Sequence, residues 1–170
     1  MDINMDEDLQ KSLRGFDKLW DRMTTASGDD LSAEASMDAL CQRYMREFMD
    51  TKCQGSLFYT KLAECLTGPV RAAILKIARE EKEHLKTMQT EYFLLVGDSY
   101  IPDKAKLPRI NGAVTALRDA CRDKREREEK YIRAVRDINY SGIQMIFGNL
   151  ALEERNHAER IKQLIIQTME

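Results

Sequence analysis

The chain's 170 residues, 43% of them hydrophobic and 33% charged, suffice for one domain with a substantial core and leave a second short of room. A net charge of -2 gives no reason to expect nucleic acid or an anionic membrane surface as a partner. No run approaches the roughly 18 apolar residues of a membrane span, and the acidic start MDINMDEDLQ lacks the apolar stretch of a secretory signal, so a cytoplasmic location is expected.

Glycine and proline are scarce, which favours long helices over tight turns. A first segment at about 7–24 carries Leu9, Leu13, Phe16, Trp20 and Met23 on one helical face, and Ser27-Gly28-Asp29-Asp30 reads as the turn after it. Residues 1–30 are therefore expected as a short helix and turn, a cover or an interface element, set apart from a bundle over 31–170. Four longer segments follow at roughly 33–66, 70–96, 110–138 and 143–168. Their breaks are Thr67-Gly68-Pro69, then Gly97 through Pro108, then Asn139 to Gly142. Each segment repeats apolar residues at spacings of three and four, the period of a helix, and no strand-like alternation competes. The two short breaks predict antiparallel hairpins, and the stretch 97–109 predicts a long crossover between them. Cys41, Cys53, Cys65 and Cys121 form no C-x-x-C pair, which disfavours a zinc ribbon or a rubredoxin-type iron site. Buried small side chains are the expectation for them in a reducing compartment.

The apolar stripes are interrupted by ionisable residues. Lys52 stands in the first, Glu81 and His84 in the second, Lys124 and Glu128 in the third, and Glu154 and His157 in the fourth. An unpaired charge in a core costs several kcal/mol, so these groups must meet each other or a metal ion. The halves also repeat. Lys52 and Tyr59 recur as Lys124 and Tyr131, and Glu81 and His84 recur, one residue later in register, as Glu154 and His157. A single Glu-x-x-His pair is weak; two on core faces, in register with a second repeated pair, is a strong signal.

The stretch FYTKLAECLTGPVRAAILKIAREEKEH from Phe58 to His84 resembles the first half of a rubrerythrin-type ferritin-like domain. The segment from Tyr131 to His157, ending LALEERNH, resembles the second half, and EYFLLVGDSY is similar to one bacterial branch of that superfamily. The resemblance covers about 45–168 and implies an all-α, ferritin-like four-helix bundle with one long crossover. It also implies a pair of iron or manganese ions, held by one Glu from each of two helices and a Glu-x-x-His from each of the others. Glu81, His84, Glu154 and His157 match that ligand set residue by residue.

Lys52 and Lys124 depart from it. They occupy the positions of the other two carboxylates, and an ammonium donates hydrogen bonds but accepts none. Four carboxylates against two divalent ions sum to zero; two carboxylates against two ammonium groups also sum to zero, without metal. The expectation is a metal-free centre with no cofactor, in which Lys52 and Lys124 replace the ions by pairing with Glu81 and Glu154, and His84 and His157 become hydrogen-bonded core histidines. The role would be structural, or the binding of a protein or small molecule; Gly55 and Ser56 beside Lys52 leave room for a pocket. The alternative is a metal-binding oxidoreductase, a di-iron-type oxidase or peroxidase, holding iron, manganese or zinc on Glu81, His84, Glu154 and His157. Glu128 stays open between pairing with Lys124, serving as a substitute ligand, and facing solvent in the run KREREEK. Tyr59 and Tyr131 read as core residues with bonded hydroxyls. A homo-oligomer is compatible with the resemblance.

Overall fold

A computed structural model describes residues 28–103 and 109–167. The segment expected as a helix at 7–24 lies outside them. The chain divides into two compact units, Met1–Ala39 and Leu40–Glu170, and the site belongs to the second. Among the described residues there are four helices: α1 Gly28–Glu64, α2 Gly68–Val96, α3 Ala113–Asp137 and α4 Ser141–Gln167. The bundle expected from the sequence is therefore observed. One boundary is corrected: Gly28, Asp29 and Asp30 open α1 instead of forming a turn before it.

The breaks end the helices in different ways. After α1, Thr67 is extended, Gly68 adopts φ 56 and Pro69 fills the first turn of α2, where its missing N–H costs nothing. α2 stops at Gly97, whose left-handed φ of 76 lets its N–H reach the Phe93 carbonyl at 2.8 Å. The end of α3 is closed by a side chain from α4: Gln144 Nε2 donates to the carbonyls of Val135 and Ile138 at 3.0 and 2.9 Å. The start of the crossover is pinned to α1, with the Tyr100 hydroxyl donating to the Asp50 carboxylate at 3.0 Å and the Asp103 N–H to the same group at 3.3 Å.

Two apolar layers fix the helix directions. The first gathers Tyr59 and Leu62, Ile74 and Ile77, Leu117 and Ala120, Ile161 and Leu164. The second holds Phe48 against Tyr131 and Phe147, with ring centroids 4.1 and 5.1 Å apart. Along α1 and α4 the charged residues follow the second layer and precede the first; along α2 and α3 the order is reversed. Helices α1 and α4 thus run one way and α2 and α3 the other. Because α2 and α3 share a direction, their connection must return along the bundle. The charged groups form a layer between the apolar ones.

Candidate functional site

Lys52, Glu81, Lys124, Glu154 and His157 are all 0% exposed. Each helix contributes because its charged residue continues the stripe that builds the apolar layers on either side. Lys52 Nζ donates to Glu154 Oε1 and stands 3.4 Å from both oxygens of Glu81. Lys124 Nζ donates to Glu81 Oε1 and lies 2.9 Å from Glu154 Oε2. Both ammonium groups therefore face both carboxylates. The rings of the repeated tyrosines close the arrangement crosswise: Lys52 Nζ sits 5.4 Å from the centroid of Tyr131, and Lys124 Nζ 5.3 Å from that of Tyr59. A cation over an aromatic face gains electrostatic attraction that burial strengthens.

Burial works against every charge here, and the neighbours decide the outcome. For Glu81 and Glu154, burial raises the carboxyl, but Lys124 and Lys52 outweigh it and hold both groups below the ordinary glutamate value. For Lys52, burial lowers the ammonium, while Tyr131 and the two carboxylates more than restore it, so it is held above its ordinary value. For Lys124 burial prevails and the group is pushed down, because Lys52 and Arg127 add repulsion against the pull of the carboxylates. The tyrosine hydroxyls are pushed up, chiefly by burial.

The two histidines are not equivalent. His157 Nε2 donates to Glu80 Oε2 at 2.9 Å, and its Nδ1 lies 3.4 Å from Glu81 Oε1. Arg160 also donates to Glu80, at 2.9 Å. His84 is only half-buried, its Nδ1 has no hydrogen-bond partner among the described residues, and its ring is 6.3 Å from that of His157. Burial first, and Lys52 next, push it below the ordinary histidine value. The expected bonded pair of core histidines therefore holds for His157 and not for the Nδ1 of His84. Glu128 turns away from the centre and accepts from Arg155 Nε at 2.7 Å, so it pairs with neither Lys124 nor the ligand set. The Tyr131 hydroxyl is buried without a hydrogen-bond partner among the described residues, contrary to the expected bonded one. None of the four cysteines forms a disulfide among the described residues; Cys41 is buried, whereas Cys65, at the turn after α1, is exposed.

Three residues at the centre were not singled out by the sequence. Glu80 neighbours Glu81 and reaches His157; the double Glu at 80–81 was the available signal. Arg160 follows His157 by one helical turn, as Arg127 follows Lys124. Arg127 Nη1 and Glu81 Oε2 flank Gly55, where a Cβ would stand 3.3 and 3.0 Å from them. A side chain there would crowd both groups, which would have to give by a few tenths of an ångström.

The residues do not fit a two-ion centre. Two of the four carboxylate positions that such a centre uses are ammonium groups, and these engage both remaining carboxylates. Within the described residues Glu81, Glu154 and His157 can bring one donor atom each within 4.8 Å of one another, a set in which His84 takes no part.

Residues 51–165 match the rubrerythrin family. The chain belongs to that family. A relative, the uncharacterized protein YhjR of Bacillus subtilis, is 30% identical over 113 residues, covering 66% of this chain and 74% of that one. A solved structure, a hypothetical protein from Pyrococcus furiosus, superposes with a TM-score of 0.65 at 16% identity, over 75% of this chain and 90% of that one. At that identity the likeness concerns the fold. No helix among the described residues is long and apolar enough to cross a membrane.

Proposed function

We propose that this rubrerythrin-family bundle is metal-free at the position of the two-ion centre, with Lys52 and Lys124 in place of the ions, and that it serves as a binding or structural protein. The observation that carries the reading is the double engagement of each carboxylate: Glu81 and Glu154 each face both ammonium groups. A cation entering the centre would have to displace two buried donors and meet their repulsion. Elemental analysis of the untagged protein, expressed with iron, manganese and zinc supplied, tests it. The expected content is near zero metal per chain. Lys52→Glu combined with Lys124→Glu restores four carboxylates and should create iron or manganese binding. Two ions per chain in the natural protein, or none in a folded double variant, would defeat the reading.

A second reading rests on the convergence of Glu81, Glu154 and His157. It is a one-ion site for zinc or iron, requiring both lysines to lose their protons or swing aside. One ion per chain, lost in Glu154→Gln, would establish it, and redox assays would follow for iron.

A further inference from the structure

Outside the charged layer, α1 and α2 form a groove of about 710 Å³. Small side chains leave the space, Cys53 and Ser56 on α1 and Ala72 and Ala78 on α2. Ser56, expected to leave room for a pocket, thus lines one. Leu57, Leu75 and Leu85 supply most of the apolar wall, and the buried Ala78 lies deepest. A volume of about 300–1,000 Å³, mostly apolar with a few polar groups, is that of a small-molecule site.

The charged residues of the lining are Arg79 and Lys82, and no acid joins them. They stand three residues apart, on one face of α2, and both are exposed. Neither has an ion pair or hydrogen bond among the described residues. The acids beside them on α2 are held elsewhere. Glu80 binds Lys76, His157 and Arg160 at 3.7, 2.9 and 2.9 Å. Glu81 belongs to the buried lysines, and Glu83 holds Lys86 at 3.0 Å. The Thr60 hydroxyl at the rim is likewise spent on the Ser56 carbonyl, at 2.7 Å. From Arg79 to Ala72 the lining runs about 10 Å along α2 without a charge. The groove therefore has a basic part and an apolar part, the pattern of an anionic amphiphile.

We propose that this groove binds a medium-chain fatty carboxylate of about ten carbons, its oxygens accepting from Arg79 and Lys82 and its tail lying along Leu57, Leu75 and Ala72. The guanidinium fork matches the two oxygens of a carboxylate, and the ammonium adds a second cation. An exposed ion pair alone contributes little. The tail supplies the affinity, about threefold per methylene, and the cations set its direction and the preference for an anion. A second copy packed two-fold over the groove would bring the cations of both chains onto one acid-free face, which argues against it as occupant. The inference rests on the binding role proposed above, for which it names a ligand class, and not on the metal content of the centre.

The test is calorimetric titration of the full-length protein with octanoate, decanoate and dodecanoate below their micelle concentrations. Alkylation of the cysteines is followed by peptide mass spectrometry, and metal content is measured on the same sample. One saturable site per chain is expected, tightening about threefold per added methylene. Decanoate should slow the alkylation of Cys53, in the groove, and not that of Cys65, outside it. Arg79→Gln combined with Lys82→Gln should weaken binding about tenfold. Ala72→Phe should weaken it too, by filling the apolar end. All three positions are exposed, so these variants leave the core intact. Lys86→Gln, tied to Glu83 outside the groove, should keep affinity within about twofold. No saturable binding of decanoate below about 5 mM, no protection of Cys53, or equal binding by the double variant overturns the proposal. A dimer in sedimentation that Ala72→Phe dissociates and decanoate does not would give the groove to a second copy and overturn it as well. So would binding confined to phosphatidylglycerol vesicles, with free decanoate ignored. A metal-free protein that ignores decanoate overturns this proposal alone, whereas two ions per chain in a protein that binds decanoate overturn the metal-free reading alone.

Discussion

In the first hairpin Lys52 is followed three residues later by Gly55; in the second, Lys124 is followed three residues later by Arg127. The positions are equivalent in the repeat, and the two residues meet in the structure: the small one makes the space that the large one fills. The histidines diverge in the same manner. His157 grips Glu80, which Arg160 steadies. The equivalents in the other half are Glu153 for Glu80 and Thr87 for Arg160. They leave His84 facing a cavity of about 460 Å³, with Nδ1 unbonded. The halves are alike at the residues that carry opposite charges to the centre and unlike in those that support them. The departure at Gly55 and Arg127 is complementary across the halves, whereas the one at the histidines leaves His84 Nδ1 without a hydrogen-bond partner among the described residues.

Truncating the lysines tests this asymmetry most severely. Lys52→Ala should cost about 3–5 kcal/mol, because it strands buried carboxylates. Lys124→Ala should cost less, since Lys124 already resists its charge under pressure from Lys52 and Arg127. Urea unfolding of both variants measures the difference. Equal losses would mean the halves are energetically equivalent, and a loss below about 0.5 kcal/mol for Lys52 would place its ammonium at the surface.

Acid should act on the same contacts. The folded carboxyls of Glu81 and Glu154 titrate below an unfolded glutamate, so at low pH the unfolded chain takes up protons that the folded one refuses. Their contribution is fully present above the ordinary glutamate value of about 4.3 and is lost as pH falls through the depressed folded values. In Lys52→Ala the folded carboxyls should titrate closer to the unfolded value, so the loss of stability on acidification should be smaller, as unfolding free energies between about pH 7 and 3 would show. An unchanged profile would separate Lys52 from the carboxylates.

The histidines should differ by a smaller margin. His157→Gln should cost about 1–3 kcal/mol through the buried bond to Glu80, whereas His84→Gln should stay within about 0.5 kcal/mol. A reversed order in thermal melts would show that His84 has a support the geometry does not contain. Gly55→Ala should have the smallest effect of the destabilising set. The new methyl meets a carboxylate pinned by two lysines, a cost of about 1–3 kcal/mol, against a helix-propensity gain of about 1 kcal/mol. In the Arg127→Ala background the cost should shrink, and a double-mutant cycle would expose the coupling.

Helix period and repeat made the four-helix arrangement readable, and with it the convergence of Lys52, Lys124, Glu81 and Glu154. A residue that interrupts an apolar stripe must enter the core wherever the stripe does. Glu80 was missed because it sits about 100° round the helix from Glu81, off the stripe, and reaches the centre only through the position of α4. Arg127 was hidden inside the charged run KREREEK, where its neighbours face solvent. The fate of Glu128 depended on Arg155 of the facing helix. Such partners are set by how helices are rotated against each other, which a one-dimensional pattern does not encode. The unequal burial of His84 and His157 has the same origin, since both stand in identical local motifs.

The crossed contacts of the lysines bear on how the chain folds. Lys52 of the first hairpin bonds Glu154 and faces Tyr131 in the second, while Lys124 of the second bonds Glu81 and faces Tyr59 in the first. Each hairpin also holds a lysine–glutamate pair of its own, Lys52–Glu81 at 3.4 Å and Lys124–Glu154 at 2.9 Å, but the shorter bonds and the aromatic faces lie across the halves, so a half-assembled bundle exposes ammonium groups and rings that only the other half covers. The hairpins are therefore bound into one cooperative unit, and amide hydrogen exchange should show the turns around Lys52 and Lys124 opening together, with the whole bundle, and not one after the other.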